Sequence, residues 1–314
     1  MDFEKIIAEV TPTLRELESD RQIILEKTSR FYLILIIVIL VAGGIALALF
    51  PIGLVAVFVA SIAMGFTYQS MVGSRAAKYS SDYKSATISK ILSTIDPGLK
   101  FVQDSGISEE EFRECELYSG PDRYHTEDLI YGKIDKTSIK LGEVHAEEKH
   151  TTRDSKGKKK TRYSTIFRGL ILIADFNKNF NGRTFLLPDA GHNFLSNLFS
   201  KSWKGSKVAQ MEDVDFESDF DVYTDDQVEA RYILTPSMMS HLTTMQGRFG
   251  ENVRVVFKDS CVWIAVPRSQ PYMEPSTKLP ATDTAQIHKM LDDMSPFLKI
   301  INELDLNTRI WTKK

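Results

Sequence analysis

The chain holds only two cysteines, Cys115 and Cys261. Two thiols exclude a framework of several disulfides and a four-thiolate zinc site. With 17 Gly and 11 Pro in 314 residues, collagen-like or low-complexity composition is excluded as well. A strong excess of either charge is missing: 39 Lys plus Arg against 42 Asp plus Glu leave a net charge of −3. That balance argues against a general nucleic-acid binder, and no nucleic-acid partner is expected. Catalytic signatures are absent too. There is no G-x-S-x-G elbow, no H-E-x-x-H helix, no G-x-x-x-x-G-K-[ST] loop and no G-x-G-x-x-G fingerprint. The six histidines include no pair at i, i+4. No catalytic, cofactor-binding or metal-ligating residue is therefore assigned, no cofactor is expected, and the chain is not expected to be an enzyme. An enzyme whose site is assembled from dispersed residues is the rival reading.

Charge itself is missing from residues 31 to 74, where no Asp, Glu, Lys or Arg occurs. The stretch opens FYLILIIVILVAGGIALALF (Phe31 to Phe50), turns at Pro51-Ile52-Gly53, and continues LVAVFVASIAMGFTY (Leu54 to Tyr68). A hydrocarbon core of about 30 Å takes about 20 residues of helix, so the expectation is a two-span transmembrane hairpin, 31–50 and 52–68. Arg15, Arg21, Lys27 and Arg30 precede it, and Arg75, Lys78, Lys84 and Lys90 follow. Positive-inside counting then predicts a multi-pass protein of the bacterial inner (cytoplasmic) membrane with both termini cytoplasmic and the lipid bilayer as a partner. No cleaved leader is expected, because about 30 polar residues come before the first apolar run.

Apolar residues recur in steps of four and three at Phe3, Ile7, Val10, Leu14, Leu17, Ile24 and Phe31, with Arg21 and Thr28 interrupting. This heptad-like seam predicts a coiled-coil or bundle contact, with Ile7, Val10, Leu14, Leu17 and Ile24 as assembly candidates and a homo-oligomer as the expected product. Arg75 to Ile95 also reads as helix, so residues 1–98 form the hairpin with a helical stalk.

Residues 99–267 read as a soluble, strand-rich domain. Ser108-Glu109-Glu110-Glu111 opens a short helix with a capping box. Strands are expected at Asp128–Ile134, Ser138–Ala146, Tyr163–Phe176, Thr184–Leu187, Val208–Met211, Val253–Phe257 and Cys261–Val266. Helices are expected at Asn193–Phe199 and at Pro236–Phe249 with Thr235 as N-cap. A proline-rich linker (268–283) leads to a C-terminal helix and tail (284–314), with Pro296 predicting a kink or break near Met294–Ser295. The fold class is thus α+β, an antiparallel sheet with the possibility of a small barrel.

Two charged constellations stand out. Glu212 to Glu229 is an acidic run without Lys or Arg, interleaved with Phe216, Phe220 and Tyr223, which reads as a solvated loop that docks its aromatics. Arg153, Lys156, Lys158, Lys159, Lys160 and Arg162 crowd one hairpin tip against Asp154. They are candidates for binding an anionic lipid or a partner; the plainer reading is a tip kept soluble by charge.

The stretches EDLIYGKIDKTSIKLGEVHAE (Glu127 to Glu147), IFRGLILIADFNKNFNGRTFLLPD (Ile166 to Asp189), DQVEARYILTPSMM (Asp226 to Met239) and NTRIW (Asn307 to Trp311) carry a resemblance. Over nearly its whole length the chain resembles a bacterial family known only as a domain of unknown function, number three-one-three-seven. The resemblance implies a membrane anchor, no established activity, and a LemA-type helical membrane protein as partner. The combined expectation is a membrane-anchored, cytoplasm-facing scaffold or interaction protein.

Overall fold

The computed structural model describes residues 3–48, 52–134, 136–153, 158–175, 179–188, 207–250, 252–269 and 272–306. The chain divides into two compact units. The first comprises Met1–Ile91 with Met273–Lys289, and the second Leu92–Tyr272 with Met290–Lys314.

The first unit is helical: α1 (Phe3–Ala48), α2 (Ile52–Tyr68), a π-helical turn (Gln69–Gly73) and α3 (Ser74–Ile95) follow in order. The ring of Phe31 meets that of Tyr68 edge-on at 4.8 Å, and Lys90 pairs with Glu9 at 3.2 Å. These two contacts fix α3 as antiparallel to the N-terminal half of α1. The heptad-like seam is buried between them: Val10, Leu14, Leu17 and Ile24 pack inside the unit with Tyr79, Tyr83 and Ile88 of α3.

Among the described residues no helix is long and apolar enough to cross a membrane. This overturns the expected two-span hairpin at 31–50 and 52–68, and with it the multi-pass inner-membrane placement. The positive-inside argument for cytoplasmic termini loses its basis. Among the described residues the apolar part of α1 runs from Phe31 to Ala48 and α2 has 17 residues, about 27 and 26 Å at 1.5 Å per residue, at the short end of what a hydrocarbon core of about 30 Å takes. Residues 49–51 lie outside the described residues.

A polar latch closes the unit. The Glu18 carboxylate accepts from Arg21 Nε at 2.9 Å, from Arg21 Nη2 at 2.6 Å and from the Ala281 amide at 2.6 Å. Arg21 Nη1 donates onward to the Thr277 carbonyl at 3.2 Å. The proline-rich stretch expected as a linker is therefore held against α1. Buried Lys84 pairs with Glu274, which also accepts from the Ser80 hydroxyl at 2.6 Å.

The second unit is built on an antiparallel sheet. Its strands are β1 (Lys100–Val102), β2 (Arg123–Ile134), β3 (Thr137–Arg153), β4 (Lys159–Asp175), β5 (Thr184–Pro188), β6 (Lys207–Val208), β7 (Phe220–Thr224), β8 (Arg254–Lys258) and β9 (Cys261–Pro267). Their order is β1-β2-β3-β4-β9-β8-β5-β7-β6, so among the described residues the sheet ends at β1 and β6 and does not close into a barrel. The α+β, antiparallel reading stands. The helices are α4 (Glu109–Glu114), α5 (Val214–Asp219), α6 (Gln227–Ile233), α7 (Pro236–Phe249) and α8 (Thr284–Leu306). The expected helix at Asn193–Phe199 lies outside the described residues.

Local chemistry sets several boundaries. The Ser108 hydroxyl accepts from the Glu111 amide at 3.2 Å while Glu111 returns to the Ser108 amide at 2.9 Å, a complete capping box. Thr235 caps α7 through the Met238 amide at 3.2 Å, with Pro236 in the first turn. Asp259 and Ser260 both have positive φ, 51° and 58°, which makes the β8–β9 connection a two-residue hairpin of the primed type. One sheet face carries Phe167, Ile171, Phe185, Val256, Trp263 and Ala265, packed against Ile107, Phe112, Cys115 and Leu117 around α4.

Two outcomes follow from these contacts. Gly169 has φ +152°, and a Cβ there would meet the Val266 carbonyl oxygen at 2.1 Å. Gly169→Ala is expected to cost at least about 2 kcal/mol in urea unfolding, from strain and forced separation of β4 and β9; a change under about half of that would contradict the close approach. In the first unit, hydrogen bonding to Arg21 holds the Glu18 carboxyl down at about 2 from an ordinary 4.5. A depressed carboxyl contributes fully above pH 4.5 and loses its contribution as pH falls through about 2. The stability gap between wild type and Glu18→Gln should therefore close over that window, as read by unfolding curves at successive pH values; a gap independent of pH would count against the latch.

Candidate functional site

The basic hairpin and the heptad seam, singled out from sequence, have different fates. Residues Arg153, Lys158, Lys159, Lys160 and Arg162 are all exposed at the free end of the β3–β4 hairpin, and Lys156 lies outside the described residues. The register places Arg153 opposite Lys159 and His150 opposite Arg162, so the cations flank one another across two strands. Of the assembly candidates, Val10, Leu14, Leu17 and Ile24 are buried within their own unit and Ile7 is half-buried. Ile6, which the seam passed over, is buried instead.

What remains uncovered in the first unit is the charge-free stretch. Leu33 is 63% exposed, Leu40 70%, Phe58 67% and Phe66 76%, with Ile36, Ile37, Val55 and Ile62 beside them. Scattered exposed leucines are ordinary, but a contiguous apolar surface on two neighbouring helices is not.

The acidic run does not form a loop. Asp213 caps α5 through the Phe216 amide at 3.0 Å, and Asp226 caps α6 through Val228 and Glu229. Glu229 accepts from the Asn181 and Gly182 amides at 3.0 and 2.7 Å, and Asp225 from the Arg183 amide at 2.6 Å. These carboxylates serve backbone donors, while Phe216 and Phe220 are buried as expected. Among the described residues no group of three or more His, Cys, Asp or Glu could hold a metal ion. Burial pushes the Cys115 thiol up to about 12, which removes it as a nucleophile near neutrality.

Two clefts differ in charge. In the first unit a cleft of about 500 Å³ is lined by Asp20, Arg75, Lys78, Tyr79 and Asp82, where two carboxylates balance two cations. In the second unit a groove of about 400 Å³ lies beside the middle of β4, the end of β9 and the start of β8 and is lined by Tyr118, Arg168, Asn252, Arg254 and Arg268, with no carboxylate. The Arg268 amide donates to the Arg168 carbonyl at 2.8 Å, which extends the β4–β9 ladder by one step beyond Gly169 and Pro267. Arg254 Nη1 donates to the Leu117 carbonyl at 3.1 Å, and its guanidinium lies 4.6 Å above the Tyr118 ring. That ring also stacks on Phe112 at 5.8 Å between centroids. Arg268 pairs with Asp293 at 3.1 Å, a carboxylate also shared with Arg248 at 3.7 Å. Burial raises the Tyr118 hydroxyl above the ordinary tyrosine range, so it stays a proton donor; it has no hydrogen-bond partner.

Sequence reasoning missed this groove. Its only trace in the sequence is Arg168, a cation that breaks the apolar run of YSTIFRGLILIADF.

Among curated proteins, none matches the chain. The crystal structure of the mycobacterial trehalose monomycolate transport factor A, TtfA, is similar at 8% identity over 66% of this chain and 88% of that chain, with a TM-score of 0.35. At that score the likeness carries no argument about fold or function here. A family match covers β4 to the end of α8. It takes in the Ile166–Asp189 and Asp226–Met239 stretches and leaves Glu127–Glu147 and Asn307–Trp311 outside. Residues 165–306 match the family described as "Protein of unknown function (DUF3137)".

Proposed function

We propose that the protein is an interaction scaffold that pairs with a second copy of itself through the apolar faces of α1 and α2. The carrying observation is the exposure of Leu33, Leu40, Phe58 and Phe66 on helices without a charged residue between 31 and 74. Water contact over such a surface is costly, at about 25 cal/mol per Å². A second copy is the favoured occupant because two like hairpins related by a two-fold axis present the same charge-free surface to each other. The seam at Val10, Leu14, Leu17 and Ile24 is spent on folding the unit, so it is not the pairing surface. A LemA-type helical partner competing for the same face is the other outcome of the test.

Sedimentation of the full-length chain should report a dimer or larger oligomer. Leu40→Glu with Phe58→Glu should shift it to monomer without loss of the strand signal in circular dichroism. A monomeric wild type would overturn self-pairing.

A second reading rests on the exposed cations of the β3–β4 hairpin. Each is expected to add about 1 kcal/mol of attraction at an anionic surface, an effect that salt screens. Replacing Lys158, Lys159 and Lys160 by Gln should lower flotation with phosphatidylserine vesicles at low salt; equal flotation would retire this role.

A further inference from the structure

We infer that the edge of β4 between Lys159 and Phe167 docks an acidic peptide segment of a partner protein, which adds to the sheet as a further strand antiparallel to β4. The site lies within the second unit and does not depend on pairing through α1 and α2.

The two sides of β4 are used unevenly. On one side it pairs with β3 from Lys159, opposite Arg153, to Ala174, opposite Ile139. On the other side β9 covers only Gly169 to Asp175, with one further bond from the Arg268 amide to the Arg168 carbonyl. Among the described residues no strand pairs with that side of Lys159–Phe167. Every second N–H and C=O of a strand points the same way, so this stretch turns a row of backbone donors and acceptors away from β3. The register shift between β3 and β4 lies at Ile166, and from Thr165 to Lys159 the pairing is regular, which keeps the spacing a new strand needs. A two-stranded ribbon is marginally stable in water, and a third strand supports it. Thr165, Ile166 and Phe167 also line the groove of about 400 Å³ together with Pro267 and Ser269, so there is open space beside β4 where β9 stops.

Charge selects the occupant. From Lys159 to Arg168 the strand reads KKTRYSTIFR, with four cations and no acid. Lys159, Lys160, Arg162 and Arg168 are all exposed. Pairing this edge with that of a second copy would set four cations against four, and edge lysines guard against such association. Glutamates or aspartates on an incoming strand instead meet a cation directly across or on the diagonal. A layer of anionic headgroups answers the cations but leaves the backbone row unpaired, whereas strand addition satisfies both. The other edge of the ribbon is less open. There Asp122 accepts from the Lys149 amide at 2.7 Å and its own amide donates to the Glu147 carbonyl at 2.8 Å, beside the acidic side chains of Glu147 and Glu148.

The probe is a fluorescein-labelled peptide of alternating Glu and Thr, about ten residues long to match the edge. With the full-length chain at low salt, fluorescence anisotropy is expected to show saturable binding that weakens about tenfold when Lys159, Lys160 and Arg162 are all changed to Gln. Thermal unfolding of that variant should match wild type, because the three side chains are exposed. The same peptide N-methylated at every amide keeps its charge and loses its backbone donors, and its saturable binding is expected to vanish. Amide hydrogen exchange over residues 159–167 should slow when the unmethylated peptide is added. Equal binding of the methylated peptide, or exchange that the peptide leaves unchanged, would reduce the edge to a charged surface of the kind an anionic vesicle also meets, and would overturn the site. Exchange already slow at every residue of the segment in the free chain would mean that a second copy holds the edge, and would overturn it equally.

Discussion

Strands β4, β8 and β9 are buried on both faces, and the second unit is arranged around that constraint. Val255, Val256, Phe257, Val262, Ile264, Ala265 and Val266 are all fully buried, as are Leu170, Ile171 and Leu172 of β4. A sheet centre of this kind reads as continuous apolar sequence rather than alternation, and it requires cover on each side. The α4 region supplies one cover through Phe112, Cys115 and Leu117. The buried stripes of α7 (Met238, Met239, Leu242, Met245) and of α8 beyond residue 290 (Leu291, Met294, Phe297, Ile301) are the apolar surface left for the other. Glu143, buried on that second side, is satisfied by the Tyr272 amide at 2.8 Å. Past Ala146 and Phe167 the cover ends, and β3 and β4 continue as an exposed two-stranded ribbon to the basic tip.

That contrast explains which elements were legible. Features decided within a few residues were read correctly: the Ser108–Glu111 capping box and the Thr235–Pro236 start of α7. Features decided by distant partners were not. The hairpin strands extend to Arg153 and from Lys159 because they pair with each other, although their polar sequence carries no burial signal. The acidic run looked like a loop because carboxylates at Asp213, Asp226 and Glu229 signal solvent unless their backbone acceptor roles are known. Pro296 does not break its helix: α8 runs through it from Thr284 to Leu306. The apolar run at 31–68 was read for its composition, whereas among the described residues no helix is long and apolar enough to cross a membrane.

The candidate site was less legible than the fold, for a topological reason. Arg168 on β4, Arg254 on β8 and Arg268 just past β9 depend on an adjacency, β4 beside β9 beside β8, that is set by long-range pairing. Nothing in the spacing of three arginines announces that pairing. Gly169 is the nearest thing to a local signal, since its φ of +152° lets the Val266 carbonyl come close and brings the ends of β4 and β9 together. A glycine inside an apolar strand marks a close backbone approach more often than a defect.

The basic hairpin and the arginine groove also differ in how their charge acts. The hairpin cations are exposed and surrounded by water, so their attraction for an anion decays over a Debye length of about 8 Å at physiological salt. In the groove, Arg254 and Arg268 are half-buried, one against the Tyr118 ring and the other against Asp293. Those contacts order both side chains, and the lower local dielectric strengthens each of them. A chain of nearly balanced overall charge thus carries two kinds of cation: exposed ones crowded at a hairpin tip, and half-buried ones each held by a partner of its own fold.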